Sequence, residues 1–198
     1  MKSIFVDGLI SFISKNMECD NNKLLRLSYG LESIYLTITK LVLITLFSII
    51  LGVFKTYIVT LILFNIIRFF GFGFHADKSS TCFIFSSGLF VGLPYIFEKF
   101  SFNIYLILII EAIALFILLL YAPADTVKRP LPNSKKRLFR KISTVLIAII
   151  YIISTILLDC FMANTLCISL MIEAIMVSPI TYKFFGQPYR NYLNYKKA

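Results

Sequence analysis

Chemistry in this chain starts from its one histidine, His75, and a cysteine seven residues later, Cys82. They stand in the segment Gly71-Phe-Gly-Phe-His75-Ala-Asp-Lys-Ser-Ser-Thr-Cys82, between two long apolar runs. Thiol catalysis needs a base that takes the proton from sulfur. As the sole imidazole, His75 must be that base in any histidine-assisted mechanism. The remaining cysteines, Cys19, Cys160 and Cys167, make no CxxC pair, and one histidine cannot supply an HExxH or comparable zinc set. No metal or cofactor is called for. Cys160 and Cys167, in or beside an apolar run, read as small buried hydrophobes.

The spacing carries a geometric demand. On an unbroken helix His75 and Cys82 would share a face about 10 Å apart along the axis, beyond the roughly 3 Å of a hydrogen bond. A working pair therefore needs a turn between them. Gly71 and Gly73 free the backbone ahead of the histidine, and Asp77-Lys78-Ser79-Ser80-Thr81 is polar and rich in capping residues. If Ser79 or Ser80 caps the next helix, Cys82 falls in its first turn. There the dipole and free N–H groups favour a thiolate and can hold an oxyanion. Asp77 either orients the imidazole or is a solvated loop carboxylate. By spacing alone, an interface histidine and an inert helix-opening cysteine fit the segment better than a catalytic pair.

The elements that must position these residues are set by composition. Of 198 residues, 59% are hydrophobic and 15% charged, with 20 Phe, 11 Tyr and no Trp; the mean hydropathy is +0.85. A soluble chain of this length could not hide so much apolar surface, so the expected solvent is a bilayer. Apolar runs at 33–54, 56–70, 82–97, 102–121, 142–158 and 161–182 predict an all-α, polytopic membrane protein with about six transmembrane helices. The second and third runs are short for a full crossing: they extend into their flanks or turn back. Residues 1–28 form an amphipathic N-terminal segment. Within it, 1–16 reads as an interfacial helix with Lys2, Asp7 and Lys15 toward water rather than a cleavable signal, or equally as an ordinary lead-in helix. Residues 29–182 hold the spans and 183–198 a basic tail, in one domain.

Residues 123–141 carry Lys128, Arg129, Lys135, Lys136, Arg137, Arg140 and Lys141 against Asp125. So short and basic a loop is expected to stay cytoplasmic. Counting outward, both termini and the 71–81 loop fall on the same side, while the external loops hold Lys55 and Lys99. Lys40, Asn65, Arg68, Glu111 and Glu173 interrupt apolar runs; charges at such depth are paired or functional. Arg68 is near enough to a span end to snorkel. Glu111 and Glu173 are expected mid-span and facing other helices, with Lys40 as a counter-charge.

Three segments together resemble the accessory gene regulator B (AgrB) family, bacterial membrane endopeptidases that process quorum-sensing propeptides. They are Tyr29-Gly-Leu-Glu-Ser33, the stretch from Arg68 to Cys82, and Tyr121-Ala-Pro-Ala-Asp-Thr-Val-Lys-Arg-Pro-Leu-Pro-Asn133. Length, span count and motif order are similar too. The resemblance implies that Cys82 attacks a peptide bond near the C-terminus of an AgrD-like propeptide, with His75 as general base and later acid. An acidic tail is displaced, and an internal thiol or hydroxyl of the peptide closes a thiolactone or lactone. It also implies a homodimer and a Gram-positive source, and assigns no firm chemical role to Arg68, Gly73 or Asp77. A net charge of +10 suits an acidic tail. Arg68, Lys128, Arg129, Lys135, Lys136 and Arg137 are the expected substrate-binding set. Membrane lipids are expected partners and nucleic acid is not; the basic loop serves topology and anionic lipid equally well. Two other readings are a small exporter, with Glu111, Glu173 and Lys40 lining a path, and a non-catalytic scaffold whose basic face binds lipid or an acidic partner.

Overall fold

The computed structural model describes residues 21–75, 79–100, 102–126 and 130–195. The expected interfacial helix over 1–16 lies outside them, as do Cys19, Asp77, Lys128 and Arg129. The chain divides into two compact units, Met1–Phe47 and Ser48–Ala198. All regular structure among the described residues is helical, and six stretches are long and apolar enough to cross a membrane.

The first unit contributes most of α1, Asn21–Ile50, whose apolar part begins at Gly30. Its Ile34, Ile38, Leu41 and Val42 are exposed, as suits a lipid-facing surface.

In the second unit the chain turns through Gly52, at φ +75°, into α2, Phe54–Gly71. The third span is continuous over Ser79–Lys99: α3 (Ser79–Ser87) passes through a π-helical turn, Gly88–Gly92, into α4 (Leu93–Lys99). The wide turn accommodates Pro94, which brings no N–H to the helix ladder. The short third run thus extends into its flanks and does not turn back. Next come α5 (Ile104–Tyr121), α6 (Ser134–Leu157) and α7 (Cys160–Val177). The sixth span ends earlier than its apolar run suggests. Ser178 leaves the helix and caps the short α8, Pro179–Phe184, its hydroxyl accepting from Ile180 N–H. A last turn, α9, spans Tyr192–Tyr195.

The basic segment is not all loop. Asn133 caps α6, its side-chain oxygen accepting from Lys135 and Lys136 N–H, so Lys135, Lys136, Arg137, Arg140 and Lys141 stand on the first two helical turns. Cys160 also departs from expectation: it opens α7 exposed, while Cys167 is buried as expected.

Buried almost all round, α7 packs against α2, α5 and α6. Lipid-facing stripes recur at helical spacing, as Ile62, Ile66 and Phe69 on α2 and Ile109, Ile113 and Phe116 on α5. With no hydrophobic drive between helices in lipid, close packing and polar contacts must hold the bundle, each such contact giving about 0.6–2 kcal/mol. Ser169 Oγ donates to Thr60 O at 3.3 Å, Tyr151 OH to Leu63 O at 2.8 Å, and Thr155 Oγ1 to Glu111 Oε1 at 2.7 Å.

Candidate active site

Where α2 ends, the backbone enters left-handed space twice, at Phe72 (φ +58°) and Gly73 (φ +110°). Partners distant in sequence hold this turn. Gly73 N–H donates to Ala124 O at 2.7 Å, Ala124 N–H to Gly71 O at 3.1 Å, and Phe74 N–H to Met176 O at 2.7 Å. From inside, Arg68 Nη2 donates to Gly73 O at 3.1 Å and to Phe74 O at 2.6 Å. Every polar backbone group so fixed is one the turn could not satisfy by itself.

Arg68 is in turn held by Glu173, with Nη1 and Oε2 3.6 Å apart and the carboxylate fully buried. The expected snorkelling arginine therefore points inward, and Glu173 lies near the end of α7 with Arg68, not Lys40, as its counter-charge. Glu111 is met by the Thr155 hydroxyl. Two glycines make room for the arrangement. A Cβ on Gly71 would run into Glu173 Oε1. One on Gly73 would strike Arg68 Nη1 and come within 2.8 Å of Met176 O.

Aromatic packing closes the turn onto the next helix. The ring of Phe74, just before His75, lies 5.9 Å from that of Phe85, one turn beyond Cys82 on α3. Phe74 also stacks on Phe185 at 4.6 Å and meets Tyr182 at 5.9 Å. No helix or extended strand brings residues 74 and 85 together, so the chain reverses between them. His75 is exposed, and Cys82 is half-buried in the first turn of α3; Ser79 and Ser80, expected as its cap, are themselves the first helical residues.

The remaining members of the expected substrate-binding set separate. Lys135 and Lys136 are exposed. Arg137 stacks over Tyr192 at 3.9 Å and donates to Leu131 O at 3.0 Å. Arg140, outside that set, reaches the turn: its Nη1 donates to Phe69 O at 2.7 Å and its guanidinium covers the Phe72 ring at 4.2 Å. Behind Ala124, Asp125 is buried, Oδ1 accepting from Asn191 N–H at 3.0 Å. Tyr182 OH donates to Asp125 O at 3.1 Å; burial pushes this phenol well above its ordinary range and keeps it a donor. Sequence reasoning missed Glu173, Ala124, Met176 and Arg140 as supports of the turn. The available signal was that Arg68 and Glu173 are opposite charges, each costly in an apolar run.

The profile of the family described as Accessory gene regulator B matches residues 6–177. The chain belongs to that family. It is 33% identical over 188 residues to an AgrB-like protein of Clostridium acetobutylicum, covering 94% of this chain and 90% of the relative. An AgrB-like protein of Listeria innocua is 29% identical over 89% of this chain and 87% of its own length. Accessory gene regulator protein B of Staphylococcus aureus is 28% identical over 89% of this chain and 93% of its own length. These relatives come from Gram-positive bacteria, and membership gives the chain a role in an agr quorum-sensing system. No solved structure matches it.

Proposed function

We propose that this protein is a membrane-embedded cysteine endopeptidase that cleaves an AgrD-like propeptide and promotes its cyclisation. Cys82 is the nucleophile and His75 the base. The observation that carries the reading is the chain reversal marked by the Phe74–Phe85 contact, on a turn fixed by Ala124, Met176 and Arg68. Preorganised groups of this kind spare the reaction the cost of assembling them.

In the first step His75 takes the thiol proton and sulfur attacks the scissile carbonyl. The C–N bond breaks, the proton passes from His75 to the leaving amine, and the acidic tail departs. An internal thiol or hydroxyl of the peptide then attacks the Cys82 thioester, closing the ring and returning the enzyme thiol. The half-buried site at the head of an apolar helix limits water at the thioester. Lys135 and Lys136, with Lys128 and Arg129, attract the tail electrostatically; Arg137, its guanidinium engaged by Tyr192 and Leu131 O, adds charge only at a distance, and Arg68 acts from beneath the turn. Lys135, Lys136, Arg137, Arg140, Lys141, Lys183 and Arg190 cluster at the His75 end of the spans and Lys55 and Lys99 at the other. That asymmetry supports cytoplasmic placement of the His75 end and of both termini. The working unit is a homodimer.

The test is cleavage of a propeptide by enzyme reconstituted in vesicles. Cys82→Ala and His75→Ala are each expected to abolish cleavage while leaving insertion and peptide binding intact. Cleavage by the inserted Cys82→Ala protein would remove the reading.

A further inference from the structure

A cavity of about 340 Å³ lies at the same end of the bundle, lined by Ala122, Pro123 and Asp125 while Ala124 between them is bonded to Gly71 and Gly73. Its walls are the end of α5, that segment, the first two turns of α6 and residues 189–192. Neither His75 nor Cys82 lines it. We propose that this cavity is a headgroup site for an anionic phospholipid.

Charge is the first argument. Arg137, Lys141 and Arg190 line the cavity against one carboxylate, Asp125. That carboxylate is occupied elsewhere: Oδ1 accepts from Asn191 N–H at 3.0 Å and Oδ2 from Leu131 N–H at 3.4 Å. Among the described residues no carboxylate forms an ion pair with any of the three cations, so the cavity offers an anion unbalanced positive charge. Arg137 is held ready for one, stacked on Tyr192 and tied through Nη1 to Leu131 O.

The surroundings identify which anion. Leu120 and Leu138 form an exposed apolar lip, continued by Phe116 on α5 and Ile142 on α6. Tyr121, Tyr189 and Tyr192 stand where the spans end, the level at which tyrosines meet headgroups. An occupant carrying a phosphate at one end and acyl chains at the other matches both walls, as basic pockets at the cytoplasmic ends of spans do. An acidic peptide would leave the lip uncovered. Because Ala124 is hydrogen-bonded to Gly71 and Gly73, occupancy would also brace the His75 turn.

The experiment uses the full chain in phosphatidylcholine nanodiscs, with phosphatidylglycerol added stepwise and bound lipid counted by native mass spectrometry. Tight retention of about one phosphatidylglycerol is expected. Lys141→Gln with Arg190→Gln should weaken it roughly tenfold or more. Lys135→Gln with Lys136→Gln, an equal charge loss outside the cavity, should leave it within about twofold. If the double variant fails to fold, Arg190→Gln alone, at an exposed position, gives the same reading, and Arg190→Lys should restore most of the binding. Equal weakening by both double variants would overturn the proposal, since only surface charge would then matter. So would displacement of the lipid by inorganic phosphate or by an acidic peptide at similar concentration. None of these readouts requires peptidase activity.

Discussion

At the Gly71 end of the second unit the connectors and helix ends are tied across the bundle: Gly73 is bonded to Ala124, Phe74 to Met176, Arg140 to Phe69 and Asn191 to Asp125. At the opposite end they close locally, with Gly52 N–H on Ile49 O, Phe100 N–H on Ile96 O and Leu158 N–H on Ser154 O. Long-range contact there comes from the Thr56 hydroxyl on the Glu98 carboxylate and from Lys55 over the Phe161 ring. Both ends reverse the chain equally well. Only the first fixes irregular backbone from several sides, and this is what a side chain needs to be held in place without a helix beneath it. The proposed function puts its chemistry at the end held this way.

Breaking the comparison starts with its glycines. Gly73→Val demands a left-handed valine and collides with Arg68 and Met176. It should reduce cleavage to roughly 1% or less, a barrier change of about 3 kcal/mol. Gly52→Ala has a similar left-handed backbone but open space. It should cost about 1 kcal/mol of stability and leave cleavage within about threefold; matched losses in parallel cleavage and melting assays would erase the distinction between the ends.

The buried pair comes next. Arg68→Met or Glu173→Gln should each destabilise by about 3–5 kcal/mol, because one charge is left buried alone. Arg68→Met with Glu173→Leu should recover much of that stability in thermal unfolding, yet not cleavage, since Gly73 O and Phe74 O would still lack their donor. Recovery of both would make Arg68 a structural residue only.

Smaller effects sharpen the picture. Phe74→Ala and Phe85→Ala, combined in a double-mutant cycle, should show a coupling of about 0.5–1.5 kcal/mol. Lys55→Met at the far end should change stability by less than about 1 kcal/mol and cleavage hardly at all.

Much of this was legible in the sequence because it depends on local pattern. Apolar runs located all six spans, missing widely only the start of the fifth (142 against 134) and the end of the sixth (182 against 177), and Gly71, Gly73 and the polar run before Cys82 announced a break. Asn133 and Ser178 were readable helix caps as well, but apolar run length outweighed them. That bias placed Lys135–Lys141 in a loop and overran the sixth span. The Arg68–Glu173 pair and the Ala124 contacts were not legible, since they join residues more than fifty positions apart that only the packing of α2, α5 and α7 brings together.

Disulfide trapping tests the central claim most directly. With Cys19, Cys160 and Cys167 replaced by alanine, His75→Cys leaves two thiols, at positions 75 and 82, in the membrane-inserted protein. A disulfide requires their Cβ atoms to approach within about 4.5 Å. The account predicts rapid, near-complete closure under mild oxidation, slowed when Arg68→Met releases the turn. Two thiols that both react with a maleimide yet never bridge would contradict it.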